Sequence, residues 1–217
     1  MALYVQYRPK TWDEVAGQPE AVALMKRLKD RNAIGGQAFS LVAKSGRGKT
    51  TIARLIASEV ADEWAVTEYP DPSVLTAEEL KRVSREMNFR PMCRGYAFIL
   101  NEAHSVRKDQ VPKLLGLLED LPKWAVWVLT ASVKQRQMMF SHIVNDRSDD
   151  ASALLSRCME VPMQSDGVEL AFAIRARTVA QASGMDGKPL EEYVRLVKRC
   201  ECNLRTVIQE IENGAML

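Results

Sequence analysis

The chain has 217 residues, 47% hydrophobic and 27% charged, which suits a globular protein able to bury a core in one large domain or two smaller ones. Its 30 basic and 28 acidic side chains leave a net charge of +2, so bulk charge argues neither for nor against nucleic acid, and any basic surface must be local. No window approaches the roughly 18 apolar residues of a membrane helix, and residues 1–10 lack the apolar core of a signal peptide, so a cytoplasmic protein with no membrane partner is expected.

Along the chain, short apolar runs alternate with longer amphipathic stretches, the pattern of a parallel sheet flanked by helices. Residues 38–42 read as a strand, and 50–61 as a helix in which Ile52, Leu55, Ile56 and Val60 recur at helical spacing. A second strand is expected over 64–69, ended by Pro70 and Pro72. Thr76 followed by Glu79 is a capping-box pair, which predicts a helix over 77–87 before Pro91 and Gly95 break the chain. The third strand is expected at 96–100. Asp109 is placed to cap the next helix, where Pro112 comes early enough to be tolerated and Leu114, Leu115, Leu117 and Leu118 supply a buried face. A fourth strand is expected over 124–129; after the polar stretch 133–150, a short helix through Leu154 and Leu155 leads to a last strand at 159–161. From residue 166 onward only helices are expected, over 167–182, 190–199 and 204–213, with Gly184 and Gly214 as stops. The expectation is an α/β domain over 1–164 and a small all-α domain over 165–217.

Cys93, Cys158, Cys200 and Cys202 form no Cys-x-x-Cys pair, and His104 and His142 complete no metal cluster, so reduced thiols are expected rather than zinc. The strongest signal is Ala43-Lys44-Ser45-Gly46-Arg47-Gly48-Lys49-Thr50, between a strand and a helix, where a phosphate-binding loop must lie for its backbone N–H groups to wrap a phosphate. Gly46 and Gly48 permit the turn, Lys49 reaches the outer phosphates of ATP, and the Thr50 hydroxyl is offered to Mg²⁺. Lys44, Ser45, Arg47 and Thr51 complete the binding stretch. The departure is Ala43, where the usual pattern begins with Gly; its methyl group would weaken binding only if a positive φ were needed there.

A P-loop enzyme also needs a carboxylate at the end of a neighbouring strand for the magnesium shell and another to polarise water. Tyr96-Ala97-Phe98-Ile99-Leu100-Asn101-Glu102-Ala103-His104 is similar to an Asp-Glu-Ala-His strand end, with Asn101 in the aspartate's place and Glu102 as the base. The opening run Tyr7-Arg8-Pro9-Lys10-Thr11-Trp12-Asp13-Glu14-Val15-Ala16-Gly17-Gln18, together with Ser156-Arg157-Cys158, resembles the AAA+ clamp-loader ATPases: the γ/τ and δ′ subunits of bacterial DNA polymerase III and the small subunits of replication factor C.

That resemblance implies an AAA+ P-loop NTPase, with a parallel sheet flanked by helices and a helical lid, which helps load a sliding clamp onto primed DNA within an oligomer of clamp-loader subunits. It implies that Tyr7, Arg8 and Val15 lie against the adenine, that Ser132 acts as sensor 1, and that Arg205, in Asn203-Leu204-Arg205, reaches the phosphates as sensor 2. Arg157 would enter a neighbouring subunit's ATP site. Arg107 and Lys108 would approach DNA phosphates. The metal would be held by Thr50 and by Asn101, whose amide supplies no charge, so slow turnover that improves in Asn101→Asp is expected. The zinc module of γ/τ does not carry over, and the resemblance stops where a collar domain would begin. Two alternatives stand beside clamp loading: a catalytically weak, δ′-like structural subunit, and another AAA+ DNA-processing motor.

Overall fold

The computed structural model describes residues 1–92, 94–132, 154 and 156–217. Five strands, β1 (Gln37–Val42), β2 (Val66–Tyr69), β3 (Tyr96–Leu100), β4 (Ala125–Ala131) and β5 (Met159–Val161), form one sheet in the order β2-β3-β4-β1-β5. Every pairing is parallel. Such strands are covered on both faces, and β4 is buried along its whole length. Strand alternation divides the core in two. One face sets Phe39, Leu41, Ile99 and Val128 against Ile52 and Ile56 of α3 (Lys49–Val60). The other sets Phe98, Leu100, Trp127 and Leu129 against Leu80 and Val83 of α4 (Ala77–Met87) and Leu114 and Leu118 of α5 (Val111–Glu119).

The helices α6 (Glu169–Ala182), α7 (Leu190–Arg199) and α8 (Leu204–Glu212) bury a cluster of their own, including Phe172, Ala176, Tyr193, Leu196, Val207 and Ile211. The first helix, α1 (Leu3–Gln6), sends Leu3 against Val179 and Ile208 of that helical region.

The five strands fall where the sequence pattern puts them to within two residues at each end, β4 running on to Ala131 where an end at 129 was expected, and three further differences stand out. Residues 63–65 are a 3₁₀ turn and not strand, because Trp64 points outward with 76% of its surface exposed. Asp109 does not cap α5: that position belongs to Gln110, and Asp109 accepts from the side chains of Arg107 and Gln110. The helix α2 (Pro19–Asp30) is absent from the sequence reading; its buried Ala21 and Met25 are only four residues apart among charged neighbours, a narrow stripe. Cys93, Leu155 and the polar stretch 133–150 lie outside the described residues.

Trp127 is fully buried, with its ring 4.9 Å from that of Phe98, and its indole N–H has no hydrogen-bond partner among the described residues. Trp127→Ala should therefore cost about 3–5 kcal/mol in denaturant unfolding, and Trp127→Phe distinctly less, since it keeps a ring and removes a buried donor. Equal losses in the two variants would contradict this packing.

Candidate functional site

The loop 43–48 leaves β1 and turns into the N-terminus of α3, where unpaired backbone N–H groups and the helix dipole favour an anion. Gly46 (φ 72°) and Gly48 (φ 90°) hold left-handed backbone that a side chain would strain. Ala43 is fully buried and is not among the residues with positive φ, so its methyl group is accommodated in the core at little cost. The Lys49 ammonium donates to the carbonyls of Ala43 (2.8 Å) and Lys44 (3.2 Å). Burial pushes Lys49 below the ordinary lysine value; Glu102 opposes that shift and Arg205 adds to it. Three residues far apart in sequence thus share one electrostatic neighbourhood.

Strand register lines up the next groups. Glu68 pairs with Ile99, and Asn101, two residues on, returns to the same face beside Thr130. The Asn101 amide donates to Glu68 Oε1 at 2.9 Å, and its oxygen accepts from the Thr130 hydroxyl at 3.1 Å. Arg54, one turn after Thr50 on α3, clasps the other Glu68 oxygen, at 2.6 Å from Nη2 and 2.9 Å from Nε. Glu102 follows in left-handed backbone (φ 53°), a conformation costly for glutamate that turns its carboxylate off the strand. Its Oε2 is buried without a hydrogen bond among the described residues, 3.5 Å from His104 Nδ1. Burial pushes the His104 imidazole below its usual value, against the pull of Glu102.

The helical region closes over the loop through Arg47, a residue only 4% exposed. Its guanidinium donates to the Cys202 carbonyl at 2.9 Å and lies over the Phe172 ring. Glu201 and Cys202 take positive φ, which aims that carbonyl. The Leu204 N–H donates to the Gly46 carbonyl at 3.2 Å, and Asn203 caps α8 through Thr206 N. A Cβ on Gly46 would overlap Asn203. The opening segment ties the parts together: Tyr7 Oη donates to Ala182 O, Trp12 Nε1 donates to Glu59, and the Gln18 amide donates to Arg47 O and Gln164 O.

Between sheet and helical region lies a cleft of about 510 Å³, in the size range of small-molecule sites. Of the sequence-predicted residues, Tyr7, Arg8, Val15, Ser45, Gly46, Arg47, Gly48, Lys49, Thr50, Thr51, Asn101, Glu102 and Arg205 line it. Lys44 contributes a carbonyl to Lys49 and is exposed. Ser132 just follows β4 and lies outside the lining, where Thr130 stands instead. Arg157 also lies outside, half exposed and paired with Glu119 at 2.8 Å, and Arg107 is exposed and paired with Asp109 at 3.2 Å.

Glu68, Arg54 and Thr130 escaped sequence reading as site residues, and Gln18 was read only as the end of the opening run. A glutamate one residue before the end of an apolar strand was the available signal for Glu68. The donors fit a magnesium nucleotide: a glycine-bounded loop on a helix N-terminus for phosphate, and the hard oxygens of Thr50, Glu68, Asn101 and Glu102 for a divalent ion.

The sheet order, the loop after β1 and the helical region closing on that loop define a P-loop NTPase fold of the AAA+ type. Solved structures of RuvB from Thermotoga maritima share it: three variants align with TM-scores of 0.70, 0.70 and 0.68 at 18%, 19% and 18% identity. Each alignment covers 94% of this chain and 64% of the RuvB chain, so the chain spans less than two thirds of the proteins it matches. At these identities the likeness is one of fold. No protein-family model and no curated protein sequence matches the chain. No helix among the described residues is long and apolar enough to cross a membrane.

Gly46→Ala places a methyl group against Asn203 and alanine in left-handed backbone, so it should lift the helical region off the loop. Tryptic cleavage after Arg47, buried in the parent, should accelerate. Unchanged cleavage would show that the docking does not depend on that close approach.

Proposed function

We propose that this chain binds ATP in the cleft and hydrolyses it as one subunit of an oligomeric AAA+ machine that acts on DNA. The carrying observation is the convergence of Lys49, Glu102 and Arg205 at the head of α3, on a loop whose backbone is already turned for phosphate. Lys49 and Arg205 offset phosphate charge, the N–H groups of the loop receive phosphate oxygens, and Glu102 orients the attacking water. Tyr7, Arg8 and Val15 lie where the base and sugar extend from the phosphates. Mg²⁺, when bound, neutralises charge on the outer phosphates, and Thr50 would hold it with Asn101 nearby. Ser132, two residues past Thr130, would act as the polar sensor of the γ-phosphate, as the sequence motif implies.

The likeness to RuvB supports the broad version of this reading, an AAA+ DNA-processing motor. Clamp loading onto primed DNA, with a sliding clamp and other loader subunits as partners, rests on the sequence motifs at 7–18 and 156–158. Turnover stimulated by primed template together with a sliding clamp favours the loader; stimulation by branched DNA without a clamp favours the other motor. A δ′-like subunit would stay inactive in every assembly.

Lys49→Ala should abolish ATP binding, measured by calorimetry, while leaving thermal unfolding near the parent's, since it removes charge at the phosphates and little of the core. Equal affinity would end the assignment. Arg157 sits outside the cleft of its own chain, so its role requires a neighbour. Arg157→Ala should leave ATP affinity of the isolated chain unchanged and lower hydrolysis in the assembled complex by roughly 10³-fold; a lost affinity in the isolated chain would contradict action in trans.

A further inference from the structure

Asn101 is a defect only if the metal site has no other acid, and the sheet places one beside it. Glu68 ends on the same face one strand over, its carboxylate at hydrogen-bond distance from the Asn101 amide and lining the same cleft as Thr50. We infer that Glu68 supplies the carboxylate of the magnesium shell in this chain, and that Asn101 and Arg54 hold it in position. The inference rests on the ATP-binding reading.

Three features carry it. First, Glu68 is fixed from two sides: Arg54 takes Oε2, and Asn101 donates to Oε1. A carboxylate has about four lone-pair sites. After these bonds Oε1 retains acceptor capacity for a metal-bound water. Second, the Asn101 oxygen already accepts from Thr130 while its N–H₂ faces Glu68, so the amide is oriented as a donor to the acid. Glu68 settles that orientation, because a carboxylate can only accept and so takes the N–H₂ end, leaving the amide oxygen to the Thr130 hydroxyl, which can donate.

Third, the pair is incompatible with the usual residue. An aspartate at 101 would set two carboxylates at hydrogen-bond distance, where like charges force one to take a proton or move away. Asparagine is the isostere that accepts neither penalty and adds a hydrogen bond. The carboxylate stands on β2 beside the amide on β3, and it faces a cleft that also carries Lys49, Arg8, Arg54 and Arg205. Burial lowers the Arg8 value and the nearby Arg54 lowers it further, while Glu68 works the other way, so Glu68 also answers this cationic crowd.

The experiment measures Mn²⁺ affinity of the ATP-loaded chain by electron paramagnetic resonance, alongside binding of a fluorescent ATP analogue in EDTA. Glu68→Gln should weaken Mn²⁺ binding by about 10- to 100-fold, the usual cost of losing a partner in the outer shell, with affinity in EDTA close to the parent's. Asn101→Asp alone should not tighten Mn²⁺. The transposed double variant Glu68→Gln/Asn101→Asp should recover most of the parent's Mn²⁺ affinity.

That recovery separates metal binding from a structural role, because the double variant leaves Arg54 without its carboxylate just as Glu68→Gln does. Parent-like Mn²⁺ affinity in Glu68→Gln would overturn the inference while leaving the ATP reading intact. So would tighter Mn²⁺ binding in Asn101→Asp with no recovery in the double variant. A parent chain that binds no nucleotide even in EDTA would overturn the ATP reading, and this inference with it.

Discussion

The buried guanidinium of Arg47 joins two parts of the chain that composition alone would keep separate. A charge this deep needs polar or aromatic partners, and the helical region supplies the Cys202 carbonyl to Nη1 and the Phe172 ring to the guanidinium face, while Nε has no partner among the described residues. The consequence is mechanical. Arg47 sits inside the phosphate loop, so whatever moves that loop is felt at the turn before α8, and α8 carries Arg205 into the same cleft. Gly46, pressed against Asn203, and Gln18, bridging Arg47 to Gln164, tighten the connection further.

The sheet supplies the second half of the site. Parallel register brings Glu68, Asn101 and Thr130 into a row on the α3 side of adjacent strands, just where α3 begins. Brought together there, the charges limit one another: Arg54 is answered by Glu68, Glu68 is steadied by Asn101, and Lys49 feels both Glu102 and Arg205. Each motif residue therefore acts together with its cross-strand neighbours.

Much of the fold was legible because hydrophobic spacing is a local property. The strands over 96–100 and 159–161 and the helices over 77–87 and 190–199 agree with the structure to the residue, each bounded by a turn signal or a cap. The glycine-bounded turn between β1 and α3 was legible for the same reason, since it lies in one run of residues. What escaped was non-local or weakly patterned. The apolar stripe of α2 is too narrow to stand out among its lysines and arginines. Arg47 reads as one more residue of the binding stretch until the helical region is seen closing over it. Asn101 reads as a lost aspartate until the strand pairing puts Glu68 beside it, and Thr130 is visible as a partner only once β3 and β4 are aligned.

In the proposed reading, one ATP-binding cleft is built jointly by the loop after β1 and the start of α8. Amide hydrogen exchange with and without Mg²⁺-ATP tests it most directly. Residues 43–50 and 203–206 should gain protection together at the same nucleotide concentration, because Gly46, Arg47 and the turn before α8 form one bonded unit. Protection of the loop alone, with the turn before α8 exchanging as it does in the absence of nucleotide, would contradict it.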